Sequence, residues 1–168
     1  MTAATAGHRD DPAVRLAPMR WWHIDALMPL EDELFGEERW TPAMFWSELA
    51  QGPTRYYRIA VEPAGALVGY GGLCAYPDEA WVQTLGVRGD RQRRGIGATL
   101  LDDLLAEAAK RRARRISLEV RADNPGAQRL YATRGFEAVG LRRGYYQPSN
   151  VDAVVMVLQR MPAERARG

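Results

Sequence analysis

The chain carries one cysteine and two histidines in 168 residues. A single thiol, Cys74, excludes an internal disulfide and fits a reducing compartment. It lies in the apolar run Leu73-Cys74-Ala75, where a buried, inert side chain is expected rather than a nucleophile. Without a cysteine–histidine cluster there is no ligand set for zinc, and no metal is expected. His8 belongs to a small, polar leading segment, and His23 follows Trp21-Trp22 at a helix start as a surface or packing residue. A Ser-His-Asp mechanism is therefore not expected either. No apolar run approaches the length of a membrane span. The first 11 residues lack the hydrophobic core of a signal peptide. A formal net charge of +2 gives no argument for nucleic acid. These absences leave a cytoplasmic enzyme or binding module, with neither a membrane nor a nucleic acid as direct partner.

What is present describes one globular domain. With 46% hydrophobic and 26% charged residues, the chain can bury about two thirds of its unfolded surface. Residues 1–12 read as a disordered lead-in, 13–160 as a single α/β domain and 161–168 as a loose tail. The spacing predicts a first strand over 14–19 and a helix over 22–35 with Ile24, Leu27, Leu30 and Leu34 on one stripe. Pro29 should kink or split that helix. Thr41-Pro42 opens a second helix, a capping threonine followed by proline in the first turn. Strands over 56–61, 66–75 and 80–87 follow in hairpin order, and Gly86 marks a bulge or a close backbone approach by a ligand. A long helix buries Ile96, Leu100, Leu101, Leu104, Leu105 and Ala108. Its basic end, residues 110–115, suits the helix dipole better than it suits RNA. A fifth strand over 115–121, a helix opened by Asn124-Pro125 and closed by Gly135, and a strand pair over 136–145 and 153–158 complete the domain. The fold class is α/β: a mixed, mostly antiparallel sheet flanked by about four helices.

Between the fourth strand and the long helix lies Val87-Arg88-Gly89-Asp90-Arg91-Gln92-Arg93-Arg94-Gly95-Ile96-Gly97. Glycines spaced Gly-x-Gly let the backbone bend closely, and the first N–H groups of the helix point outward where its dipole is positive. Arg91, Arg93 and Arg94 add charge. Physically this is a socket for a phosphate-bearing ligand, although a basic turn capping an ordinary helix has the same letters. A P-loop is excluded because Ala98-Thr99 follows the second glycine, and a dinucleotide fingerprint because Leu100 occupies the third-glycine position. Gln92-Arg93-Arg94-Gly95-Ile96-Gly97 resembles Gln/Arg-x-x-Gly-x-Gly/Ala, the pyrophosphate loop of the GNAT acetyltransferases. The resemblance implies the GNAT fold and acetyl-CoA as co-substrate. Main-chain groups around Leu85, Gly86 and Val87 would hold its pantetheine arm, while residues 92–97 hold its diphosphate.

A second block is more specific. Asn124 and Tyr131 are two helical turns apart and share a face, next to Glu119 on the preceding strand. Taken alone, these read equally as a cap, a packing phenol and a solvated carboxylate. However, Leu118-Glu119-Val120-Arg121 … Asn124 … Leu130-Tyr131 … Gly135-Phe136 is similar to the matching block of ribosomal-protein-alanine N-acetyltransferases within the same family. The ending Arg142-Arg143-Gly144-Tyr145-Tyr146 … Asp152-Ala153 … Met156 resembles theirs as well. Departures are Gly126 in place of alanine and Arg39-Trp40-Thr41 in place of Pro-Trp-Ser. What the resemblance implies is acetyl transfer to a protein N-terminus, the N-terminal alanine of the eighteenth small-subunit ribosomal protein foremost, by a monomeric enzyme. Glu119 would be the general base, Tyr131 the general acid and Asn124 a cofactor contact. Trp40, Tyr145 and Tyr146 would line the acceptor groove. An α-amino group, with a reference pKa near 8 against about 10.4 for lysine, is the easier amine to deprotonate. The acidic run Glu31-Asp32-Glu33 … Glu37-Glu38 reads as a solvated helix face or a steering surface for a basic N-terminus. Acetylation of a small amine or a lysine side chain, and a non-catalytic acetyl-CoA-binding module, are the alternatives.

Overall fold

The computed structural model describes residues 14–160, so the leading segment with His8 and the tail lie outside the described residues. Seven strands, β1 (Arg15–Pro18), β2 (Arg55–Val61), β3 (Leu67–Tyr76), β4 (Glu79–Val87), β5 (Arg115–Arg121), β6 (Glu137–Tyr146) and β7 (Val151–Gln159), form one sheet in the order β1-β2-β3-β4-β5-β7-β6. Four helices, α1 (Ile24–Phe35), α2 (Pro42–Ala50), α3 (Ile96–Lys110) and α4 (Pro125–Ala132), flank it. The expected class and the element order agree with this, with strand ends shifted by one or two residues.

Side-chain alternation along the strands sorts the core into two faces. Tyr57, Ile59 and Tyr70 pack with Ile24, Leu27 and Leu30 of α1 and Phe45 of α2. From the other face, Ala60, Val68, Leu73, Val82, Ile116 and Leu118 meet the α3 stripe of Ile96, Leu100, Leu101, Leu104 and Ala108. Pro29 does not split α1, which runs unbroken to Phe35. Pro29 and Asp25 are both exposed, so the Asp25 carbonyl that loses its intrahelical donor can turn to water.

The feature that creates a site is the one parallel junction among the described residues. β4 and β5 pair only at Glu79–Arg115, Ala80–Ile116 and Trp81–Ser117. In β4 the register against β3 slips between Val82 and Thr84, leaving Gln83 as the extra residue of a bulge. A bulge sharpens local twist and bends its strand, so β4 leaves β5 from here on. The bulge is thus three residues before the expected position. Gly86 marks no bulge but answers a packing demand, because a Cβ there would stand 2.9 Å from Leu34 and from the Tyr70 ring.

Within the acidic run, Asp32 and Glu37 are exposed as a solvated face would be, while Glu31 and Glu33 make contacts that neither expectation included. Glu31 is 0% exposed, takes the Trp40 N–H at 2.8 Å and the Tyr70 hydroxyl at 2.5 Å, and so pins the α1–α2 connection to β3. Burial pushes its carboxyl above the usual carboxylate range, against the pull of those two donors. Glu33 accepts the Gly89 N–H at 2.7 Å, fixing α1 to the turn after β4. Replacing Glu31 with alanine would strand two donors in the core, and each unpaired buried group costs about 1–3 kcal/mol. The expected result for Glu31→Ala is a loss of about 3 kcal/mol, read as a fall in melting temperature of roughly 10 °C for a domain of this size. Tyr70→Phe, which leaves the Trp40 bond in place, should lose less in the same melt.

Candidate active site

Two adjoining cavities occupy the gap between the separated strands. The larger, of about 630 Å³, runs from the α3 N-terminus to Tyr131. Gly95, the residue before α3, has φ +87° and Arg93 has φ +59°, so the chain enters the helix through two left-handed turns. No side chain caps α3 among the described residues, which leaves its first N–H groups open toward the cleft. A Cβ on Gly97 would sit in ordinary contact, 3.6 Å from Val87 and Leu130. Gln92 is fixed by donating from Nε2 to the Val87 carbonyl at 3.0 Å.

Of the residues expected at the cofactor, Leu85, Gly86, Val87, Gln92, Arg93, Gly95, Gly97 and Asn124 line this cleft. Arg94 lines neither cavity, and the Ile96 side chain is buried in the core, so Ile96 can offer only its main chain. Arg91, expected beside the socket, is already paired with Glu62 at 2.5 Å and Asp90 at 2.9 Å. Residues that the sequence reading missed are Leu34, Phe35, Ala98, Pro125, Ala127 and Arg129. Leu34 and Phe35 arrive from α1, far away in the chain, and no local pattern marks them. Arg129 and Ala127 share the first turns of α4 with Asn124, and that spacing could have found them.

The smaller cavity, about 150 Å³, is walled by Gln83 and Thr84 on β4, Glu119 and Arg121 on β5, and Trp40, Glu38 and Tyr146 beyond them. Leu85, Asn124 and Tyr131 line both cavities and mark where they meet. Asn124 is there because it caps α4, accepting the Ala127 N–H at 3.1 Å, and the cap sets it in the wall of both cavities. Tyr131 is 8% exposed and packs edge-on to Phe136 at 5.9 Å. Burial, and to a lesser extent Tyr146, holds its phenol proton above the usual tyrosine range. Glu119 is brought to the same chamber, with Arg142 Nε 3.2 Å from Oε1. Tyr146 donates to the Glu119 carbonyl at 3.4 Å, and its pKa is pushed up to about 12, mostly by burial. Tyr145 lines neither cavity; it is 45% exposed, set edge-on to Tyr146 and under Arg142. Of the three residues expected at the acceptor, Trp40 and Tyr146 line the smaller cavity and Tyr145 stands outside it. No cluster of metal-binding side chains occurs among the described residues.

Residues 17–136 match the Acetyltransferase (GNAT) family, which spans the socket, both strands of the gap and α4. The chain belongs to the GNAT acetyltransferase family. Among curated GNAT relatives, the N-alpha-acetyltransferase RimI of Mycobacterium tuberculosis is 45% identical over 132 residues, 76% of this chain and 80% of its own. The [Ribosomal protein bS18]-alanine N-acetyltransferase of Escherichia coli is 35% identical over 119 residues, 67% of this chain and 80% of its own. The crystal structure of the Escherichia coli ribosomal-protein-S18-alanine N-acetyltransferase superposes with a TM-score of 0.80 at 28% identity, over 90% of this chain and 97% of that one. Arabidopsis thaliana NAA60, crystallised with acetyl-CoA, shares the fold at a TM-score of 0.75 and 20% identity over 88% of this chain and 98% of its own.

Proposed function

We propose that the protein transfers acetyl from acetyl-CoA to the N-terminal α-amino group of a protein, foremost a ribosomal protein with N-terminal alanine. The observation that carries this is the meeting of two cavities at Tyr131, with a phosphate-type helix start at the far end of one and a carboxylate, Glu119, in the other. The residues present fit acetyl-CoA. Open N–H groups at the start of α3, with Arg93 and Arg129 in the wall, suit its phosphates. Leu34, Phe35, Ala127 and Leu130 offer apolar walls to its pantetheine arm. When bound, acetyl-CoA supplies an acetyl group activated as a thioester. Glu119 takes the proton that the attacking amine must lose. Tyr131 keeps its proton at the junction, where it can hydrogen-bond a departing sulfur. Peptide N–H groups of β4 beyond its last pair with β5 would polarise the thioester carbonyl.

A chamber of about 150 Å³ has room for the first residue of a free chain end. Names of the relatives point to the same acceptor, and work on ribosomal proteins would place the enzyme in the cytoplasm. Both cavities lie within one chain, so a monomer suffices. The test is mass spectrometry of alanine-led peptides incubated with acetyl-CoA and the protein. Acetyl is expected on the free N-terminus alone. Modification only at lysine, or of peptides with a blocked N-terminus, would sink the reading.

A further inference from the structure

One side chain ties together three segments that are remote in sequence at the outer wall of the smaller cavity. Glu38, in the turn after α1, pairs through one oxygen with the Arg121 guanidinium at the end of β5. Its other oxygen accepts the Ser149 hydroxyl, and also the Ser149 N–H at 3.3 Å, from the turn between β6 and β7. The Glu38 side chain is only 10% exposed. Burial acts to raise its carboxyl, but Ser149 and Arg121 prevail and hold it below the usual carboxylate range. Arg121 is braced in turn by Asp123 at 2.9 Å through a second edge of its fork, and lies 5.3 Å over the Tyr146 ring. Glu38, Arg121 and Tyr146 all line the chamber that also holds Glu119.

We propose that Glu38 is a positioning residue for the acceptor: its clasp on Arg121 and Ser149 holds the β6–β7 turn against the α1–α2 connection and so sets the width of the acceptor chamber. This rests on the acetyl-transfer reading above. The larger cleft, where acetyl-CoA would lie, contains none of the three. Opening the clasp therefore loosens the acceptor's wall without touching the donor's. A carboxylate held by three donors is bound strongly enough that its loss is felt, and both Glu38 oxygens are taken up by the clasp.

The experiment is steady-state kinetics with an alanine-led peptide and acetyl-CoA varied in turn. For Glu38→Ala, the peptide KM should rise about tenfold, the scale of one lost charge-assisted bond. The kcat and the acetyl-CoA KM should stay within about twofold, as expected for loss of uniform acceptor binding. Glu38→Gln, which still accepts from Ser149 but no longer faces Arg121 with a charge, should fall between. Ser149→Ala, exposed and benign for folding, should raise the peptide KM about threefold, and the double variant should add little to Glu38→Ala alone. Glu37→Gln, next in the chain and exposed, serves as the control that changes nothing. An unchanged peptide KM in both Glu38→Ala and Ser149→Ala overturns the proposal while leaving the acetyl-transfer reading standing. Equal losses in kcat and acetyl-CoA KM overturn it in favour of a general structural role. A wild-type protein that leaves the free N-terminus unmodified overturns both readings.

Discussion

Glu119→Gln should lower kcat on an alanine-led peptide by about a thousandfold, in the middle of the range for a lost general base. The carboxamide keeps the shape of the side chain and cannot take a proton. The amine that reaches the chamber would then have to lose its proton to bulk water before attack. Acetyl-CoA KM should move little, because Glu119 lines only the smaller cavity, and the equal size of the amide keeps the peptide KM near wild type. Tyr131→Phe should cost about a hundredfold, the scale of one donor aimed at developing charge. Packing on Phe136 survives that change, so the fold should hold. The two losses differ in their pH dependence. Burial raises the Tyr131 pKa above the ordinary value near 10, so the phenol is protonated throughout the neutral range. The wild-type rate should therefore show no loss from this group until the pH has passed 10. Measured kcat values unchanged in both variants would remove the catalytic assignment, whatever else the cavities bind.

The parts of this site that could be read from the sequence are those whose chemistry is local. A left-handed glycine before a helix, and an asparagine followed by proline with a tyrosine two turns later, are each encoded within a few residues. Gly95, Asn124 and Tyr131 accordingly stand where they were expected. What could not be read depends on partners far away. Glu31 finds Tyr70 across 39 positions, and Glu38 finds Ser149 across 111. Neither can be told from a solvated acidic helix face until the sheet is assembled. Arg91 looks like a phosphate ligand until Glu62, 29 residues before it, neutralises it. Tyr145 and Tyr146 differ for another reason. The β6–β7 register slips between Arg142 and Tyr146, so counting alternate residues does not say which of the pair faces inward. The same holds for β4, whose bulge at Gln83 resets the faces of the residues that line both cavities. Irregular register defeats pattern reading at the place where the site is made.

The socket can be tested apart from the chemistry. Gly97→Asp should raise the acetyl-CoA KM about a thousandfold, since like charges brought together in a binding site cost several kcal/mol and each 1.4 kcal/mol is tenfold. The new Cβ would sit without a clash, 3.6 Å from Val87 and Leu130, and carry the carboxylate to the helix start that lines the cleft. It would also accept the N–H groups of the first turn of α3, which have no side-chain cap, and so withdraw them from any phosphate. Those contacts make the substitution neutral or mildly stabilising for the helix, by roughly 0.3–1 kcal/mol. A melting temperature equal to or above wild type, together with a collapsed affinity for acetyl-CoA, is the expected pair of results. The like-sized Gly97→Asn, which adds the same bulk without charge, should lose far less affinity and so separate repulsion from crowding. Full affinity in Gly97→Asp would mean that the diphosphate does not lie at this helix start. The two left-handed turns at Arg93 and Gly95 would then be a matter of folding alone.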